Sequence, residues 1–386
     1  MSSPPPTPPA PPPQHAAFTT WARTAGVTTH SIVPTLIPGA GLGITSTTPI
    51  PSGTVIAFCP RSLLLNISTV PLFSPTLPPF PPGTRTHAIL AAAIALSHAD
   101  PKNPWAAWIP TFPSREDLRG LPLFWDKARR ARLPASARRL LSAMEKRMEA
   151  DEAAVRAVCG VGVGREVYQW AWAVVNTRTL FYPGAGGKRE DKLTLCPFVD
   201  YFNHTSRAGA CSAVYGPRGY TVTTTRDVAA GEELCVTYGP HSGDFLLVEY
   251  GFVPEENEAD ALLLDPWLER LQGVNEVRER LELEGYWGNW VLDGRGWCYR
   301  TEVAIRLVVG DEGRWYAFLG GDEGGAVEAA RVKGVLRGVL KGVLEEADEV
   351  EAMGAEEEDV DAEIEETIRR RWRQIRRIVG EVLEKT

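Results

Sequence analysis

The stretch from Leu195 to Gly251 constrains this chain more than any other part of it. It reads LCPFVDYFNHTSRAGACSAVYGPRGYTVTTTRDVAAGEELCVTYGPHSGDFLLVEYG. Tyr220 to Thr225 is β-branched and aromatic enough to form a strand. Ala229-Ala230-Gly231 makes a turn, and Glu233 to Tyr238 is a second extended run. Asp200 and Asn203-His204 stand ahead of these elements, with Tyr250-Gly251 behind them. Polar Asn-His at the edge of an apolar run, with a tyrosine closing a nearby strand, is a site-like constellation.

At 386 residues the chain can bury a sizeable core and hold more than one domain. A net charge of −8 argues against a general nucleic-acid binder, because phosphate affinity needs clustered Lys and Arg. No apolar run reaches membrane-spanning length; the longest is Ala88 to Leu96. The sequence does not open on a basic segment followed by an apolar core, so an intracellular protein, cytoplasmic or nuclear, is expected. Cys59, Cys159, Cys196, Cys211, Cys235 and Cys298 form no CxxC or CxC pair. They are expected as buried small hydrophobes rather than disulfides or zinc ligands.

Residues 1–17 open proline-rich and are expected to be a disordered tail, with a short helix from Phe18 to Ala25 and a strand from Thr28 to Leu36. Pro38-Gly39-Ala40-Gly41-Leu42-Gly43-Ile44 follows. A dinucleotide fingerprint would need a helix directly after these glycines, and Pro49, Pro51 and Gly53 prevent one. A hairpin whose glycines line a cofactor edge fits better, the bland alternative being a plain glycine turn. After the strand Thr54 to Cys59, residues 70–83 read as a proline-rich loop and Thr86 to Ser97 as an alanine-rich helix. Trp105, Trp108, Phe112 and 121–125 form an aromatic, irregular run; Pro134 to Val158 and Arg165 to Phe181 read as helices. Beyond Gly251, Asp293-Gly294 marks a tight hairpin, and Thr301 to Val309 reads as a helix. Ala326 to Glu349 would be a helix with a glycine face (Gly334, Gly338, Gly342) suited to close packing. Acids dominate from Glu345 to Glu366 and bases from Arg369 to Arg377, which predicts a solvated, charge-paired helix.

With these residues in place the chain resembles the SET-domain protein-lysine methyltransferases. It is most similar to the subfamily of the Rubisco large-subunit methyltransferase and its fungal ribosomal-protein and cytochrome c relatives. The motifs occur in the family's order: GAGLG, the tryptophan run ending in LPLFW, Asn176-Thr177-Arg178, Asp200-Tyr-Phe-Asn203-His204, Glu233 to Gly239, and Tyr250-Gly-Phe252. The resemblance implies an α+β fold of short, twisted sheets with a knot-like crossing near Asn203 and Tyr238. It places the SET domain at about 18–253, a helical insertion at about 73–180 and a helical substrate-docking domain at about 254–386. It also implies S-adenosylmethionine as cofactor, contacted by Ala40, Gly41, Leu42, Arg178, Asn203 and His204. Asp200, Tyr238 and Tyr250 would face the substrate lysine, with Tyr238 catalytic. The zinc-binding cysteines that often follow the domain are absent after Tyr238, so no metal is expected. Ala40 stands where several relatives carry an acid. Partners would be a protein presenting a lysine, with neither nucleic acid nor membrane, and the chain a monomer.

A free lysine with a pKa of ~10.4 is only about 0.1% neutral near physiological pH, so an apolar, aromatic channel that lowers this value suits the reaction. Each residue also has a structural reading: His204 as a hydrogen-bonded structural histidine, Asp200 as a turn cap, Tyr238 as core. Three other functions compete with this one. A protein-histidine methyltransferase fits the same fold. A non-catalytic peptide-binding module has no need of Tyr238 with Asn203-His204. A hydrolase on Cys196 or Cys211 with His204 and Asp200 lacks any nucleophile-elbow pattern.

Overall fold

Prolines and glycines, 31 and 36 of them, cut the chain into pieces too short for a broad sheet. The computed structural model describes residues 11–185, 192–322, 324–353 and 361–385. The first ten residues of the expected tail lie outside these, as do 354–360 of the acidic run. The chain forms two compact units, one of residues 1–119 and 144–240, the other of 120–143 and 241–386. The boundary falls inside the helix Ala135–Cys159.

In the first unit the helix Pro13–Thr24 starts inside the segment expected to be tail. Pro13 suits a first helical turn, where no N–H is needed and its fixed φ is already helical. Phe18 and Ala22 are fully buried and anchor the helix. The strands are β1 Thr28–Thr29, β2 Ile32–Ile37, β3 Gly41–Ser46, β4 Val55–Pro60, β5 Leu65–Asn66, β6 Thr179–Phe181, β7 Leu193–Leu195, β8 Ser212–Gly216 and β9 Gly219–Thr223. They make three small antiparallel sheets, in the orders β1-β4-β9-β8, β2-β3 and β5-β7-β6. The strand expected over Thr28 to Leu36 is split at Ser31, whose φ of 55° turns the backbone out of the extended region. The glycine motif does form a hairpin, Ile37 opposite Gly41, with Gly39 and Gly41 at φ 74° and 73°, where a side chain would be strained.

The helix Thr86–Ser97 matches its expected bounds and packs on Arg165–Arg178. His87 stacks on Trp172 at 4.3 Å, and burial pushes its imidazole down to about 3. Val70–Phe73 is a helical turn inside the expected loop. The second extended run, Glu233 to Tyr238, carries only isolated bridges. It pairs on two sides at once: Leu234 N donates to Ile44 O (2.8 Å), while Val236 N donates to Asn203 O (2.9 Å) and Thr205 N to Val236 O (3.0 Å). Splitting its backbone groups between two neighbours leaves no continuous ladder with either.

The second unit contains the helix Gly243–Tyr250, strands β10 Ala261–Leu263, β11 Val291–Asp293 and β12 Gly296–Trp297, and the helices Tyr299–Val309, Glu312–Leu319, Ala326–Met353 and Ala362–Lys385. The Asp-Gly hairpin forms between β11 and β12. Two expectations are overturned here. In Ala326–Met353 the buried stripe is Val332, Leu336, Val339, Leu340, Val343, Ala347 and Val350. Gly334 and Gly338 are exposed, and a Cβ at Gly334, Gly338 or Gly342 would meet no atom within 4 Å. Branched aliphatic side chains gain far more from burial than glycine does, so they set the packed face. In Ala362–Lys385 the basic run is not all solvated, since Arg371 is fully buried. Its Nε reaches Asp244 Oδ1 at 2.6 Å and its Nη1 reaches Asp260 Oδ2 at 2.7 Å; Ser136 Oγ also donates to Asp244. Two carboxylates compensate the buried guanidinium. Among the described residues no helix is long and apolar enough to cross a membrane.

Candidate active site

The first unit contains all the predicted residues except Tyr250, and Asn203, His204 and Tyr238 meet along the doubly paired run. His204 and Val236 form a parallel bridge, so Asn203-His204 lies beside the segment leading to Tyr238. Tyr238 N donates to His204 Nδ1 at 3.0 Å, which in a neutral ring leaves the proton on Nε2. The two rings lie 5.2 Å apart. Tyr238 Oη donates to Phe202 O at 2.9 Å, tying the phenol back to the Asn203 loop. Asn203 Nδ2 donates to Glu233 Oε1 at 2.9 Å.

Asp200 lies on the 3₁₀ turn Val199–Tyr201, entered through Phe198 at φ 71°. Phe198 is only 1% exposed, and its packing holds this strained backbone in place. The Asp200 carboxyl is 2% exposed, lies 4.0 Å from Arg178 Nη1 and accepts from Trp108 Nε1 at 3.3 Å. Burial pushes its pKa up to about 6, against the opposing pull of Arg178 and the indole N–H. Arg178 Nη1 also donates to Asp200 O at 2.8 Å. Two buried atoms of this pair, Asp200 Oδ1 and Arg178 Nε, have no hydrogen-bond partner among the described residues. An unmet acceptor and an unmet cationic donor side by side are the complement of a zwitterion. With the Asn203 carboxamide nearby in sequence, this donor set fits the amino-acid end of S-adenosylmethionine.

Ala40 and Gly41 are exposed at the tip of the β2-β3 hairpin, and Leu42 is half-buried. Gly43, two residues on, is the one crowded by the site: a Cβ there would come within 2.8 Å of both Asn203 Nδ2 and Glu233 Oε1. Tyr250 belongs to the second unit. It closes the helix Gly243–Tyr250, its ring 6.4 Å from those of Phe245 and Phe252, and burial raises its phenol to about 12. Cys196 is fully buried with its thiol pushed well up, and burial raises Cys211 to about 11; neither suits a nucleophile.

Four residues at the site carried no predicted role. Gly43 and Glu233 sit inside quoted motifs, so the signal was present without a partner to interpret it. Trp108 stands in the aromatic, irregular run, where nothing local marks it, and its N–H donates to Asp200. His15 lay in the expected tail; its Nδ1 is 2.7 Å from the hydroxyl of Tyr201, next to Asp200. Among the described residues no group of three or more His, Cys, Asp or Glu could hold a metal ion.

Compared with known families, residues 41–239 match the SET domain, and residues 266–385 match the Ribosomal lysine N-methyltransferase 2 C-terminal domain. Ribosomal lysine N-methyltransferase set11 of Schizosaccharomyces pombe is 28% identical over 291 residues, covering 75% of this chain and 73% of its own. SET domain-containing protein 4 of Mus musculus is 25% identical over 319 residues, covering 75% of this chain and 71% of its own. Among solved structures, the SET domain of LSMT bound to lysine and AdoHcy aligns at a TM-score of 0.68 and 15% identity, covering 96% of this chain and 91% of that one. The structure of Rubisco LSMT bound to AdoMet gives 0.64 and 16%, covering 96% and 92%.

Proposed function

The chain belongs to the SET-domain family, and from that premise we propose that it is an S-adenosylmethionine-dependent protein-lysine N-methyltransferase acting on a non-histone, ribosomal protein. The observation that carries this reading is the joining of His204, Tyr238 and Asn203 through the double pairing of one extended run, within the residues matched to the SET domain. One relative supports the substrate class: set11 of Schizosaccharomyces pombe is a ribosomal lysine N-methyltransferase. Activity in the cytoplasm or nucleus goes with such a substrate.

The cofactor, when bound, supplies an electrophilic methyl group. Arg178 and Asn203 would hold its amino-acid end, the Ala40-Gly41-Leu42 edge with His204 the remainder, and Asp200, paired with Arg178, would stand between that end and the substrate lysine it is expected to face. Tyr238 orients the attacking amine: its hydroxyl is fixed by Phe202 O and its backbone by His204, so the phenol is positioned before substrate arrives. Tyr250 keeps its proposed role toward the substrate lysine on the resemblance alone.

The test is transfer of labelled methyl groups to purified ribosomal proteins, with the modified residue identified by mass spectrometry. Labelled lysine is expected. Label on histidine would move the chain to the acceptor class of another relative, the actin-histidine N-methyltransferase of Drosophila melanogaster, 27% identical over 63% of this chain. Cofactor binding with no label in any fraction would favour the peptide-binding module.

A further inference from the structure

Asn203 reaches toward the cofactor in the reading above, yet an asparagine side chain can present either its oxygen or its nitrogen. Here the choice is made by Glu233. A carboxylate only accepts, so the Asn203 NH₂ must face Glu233 Oε1, at 2.9 Å, and Oδ1 points the other way. Glu233 is itself held in place by its neighbours' backbone: Ser46 N donates to Glu232 O (3.0 Å), Leu234 N to Ile44 O (2.8 Å), and Thr45 bridges Glu233 directly. On the opposite side, Gly43 leaves just enough room, because a Cβ there would sit 2.8 Å from both hydrogen-bonding atoms. Gly43 has an ordinary extended backbone in β3 and needs no special φ, so its lack of a side chain serves the space. A residue on the doubly paired run, a glycine on the hairpin and the Asn-His loop thus meet at one amide.

We propose that Glu233 is a positioning residue which fixes the orientation of the Asn203 carboxamide, with Gly43 as the gap that admits the pair, and that this sets the affinity for S-adenosylmethionine. The proposal rests on the methyltransferase reading of the site. It gives the second glutamate of the GEEL run a role beyond that of an extended-run residue.

The test uses the full chain and four single variants, Glu233→Ala, Glu233→Gln, Gly43→Ala and Asn203→Ala, with the double variant Glu233→Ala/Asn203→Ala. In the ligand-free protein the two Asn203 side-chain amide protons should give resolved, slowly exchanging NMR signals. These should collapse to a mobile-amide position in Glu233→Ala and Gly43→Ala and persist in Glu233→Gln, whose carbonyl still accepts. The KM for S-adenosylmethionine should rise about tenfold in the first two, the size of one lost polar contact. It should stay near wild type in Glu233→Gln, with kcat at saturating cofactor and the KM for protein substrate unchanged throughout these three. Glu233→Ala should add nothing in the Asn203→Ala background, since the amide it orients is gone. An Asn203 amide indifferent to Glu233→Ala, or an equal KM rise with and without Asn203, overturns the proposal. A wild type whose amide is fixed by Glu233 but which binds no cofactor overturns the methyltransferase reading instead.

Discussion

Tyr238 holds its hydroxyl against a main-chain carbonyl, Phe202 O at 2.9 Å, while its N–H rests on His204. Tyr238→Phe should therefore cost about 1 kcal/mol of stability through the carbonyl it leaves. Turnover should fall further, roughly 100–1000-fold, with cofactor affinity nearly unchanged, because the group acts on the transition state. Calorimetry and single-turnover assays separate the two; a Phe variant at wild-type rate removes Tyr238 from catalysis. Asp200 gives a pH signature. Its folded pKa of about 6 lies above the ordinary 3.8, so the folded chain binds this proton more tightly. Any contribution from that proton is present below about pH 4 and lost as pH rises through about 6. Wild type should lose roughly 2–3 kcal/mol relative to Asp200→Asn between those limits, by urea melts. A difference independent of pH would contradict the buried carboxyl. The residue types here were legible from the motif order, but their partners were not: Asn203 and Glu233 lie thirty positions apart, and nothing local links them.

At the scale of elements, the periodic segments announced themselves. Thr86–Ser97 matched to the residue, and the Asp-Gly hairpin formed where its turn chemistry required. What periodicity did not give was which face is buried when two features compete on one helix. In Ala326–Met353 the aliphatic stripe won and the glycines face outward. Gly338→Ala should then stabilise the protein by about 0.5–1 kcal/mol, since the helix gains propensity and the new methyl meets nothing. A lowered melting temperature would show that this face is packed after all. The basic run of Ala362–Lys385 divides in the same way. Arg371, fully buried between Asp244 and Asp260, should cost roughly 3–5 kcal/mol as Arg371→Ala, leaving two carboxylates unpaired. Arg373, whose side chain is 62% exposed, should cost no more than about 0.5 kcal/mol as Arg373→Ala. Equal effects at the two positions would refute the distinction, which a run of like residues in the sequence conceals.

Over the whole molecule, the net charge of −8 bears on encounter rather than on fold. With the ribosomal substrate proposed above, a basic protein would be steered to this acidic chain by opposite charge, so kcat/KM should fall as ionic strength rises from about 0.05 to 0.3 M while kcat holds. A kcat/KM indifferent to salt would remove steering as a factor. The sequence by itself determined the order of the motifs and, through the family resemblance they carry, the short-stranded α+β character; from its local patterns it determined the hairpin at Gly39 to Gly41 and the helices with clear periodicity. These follow from backbone dihedrals and nearest-neighbour spacing, which are local quantities. Only the tertiary structure decided that His15 leaves the supposed tail to meet Tyr201, that Trp108 binds Asp200, that Arg371 is a core residue and that Gly43 makes room for Asn203 and Glu233. Each of these is a polar group or a gap whose meaning depends on desolvation and on a partner far along the chain. Burial removes the water that would otherwise satisfy such groups, and the fold alone determines which distant residue replaces it.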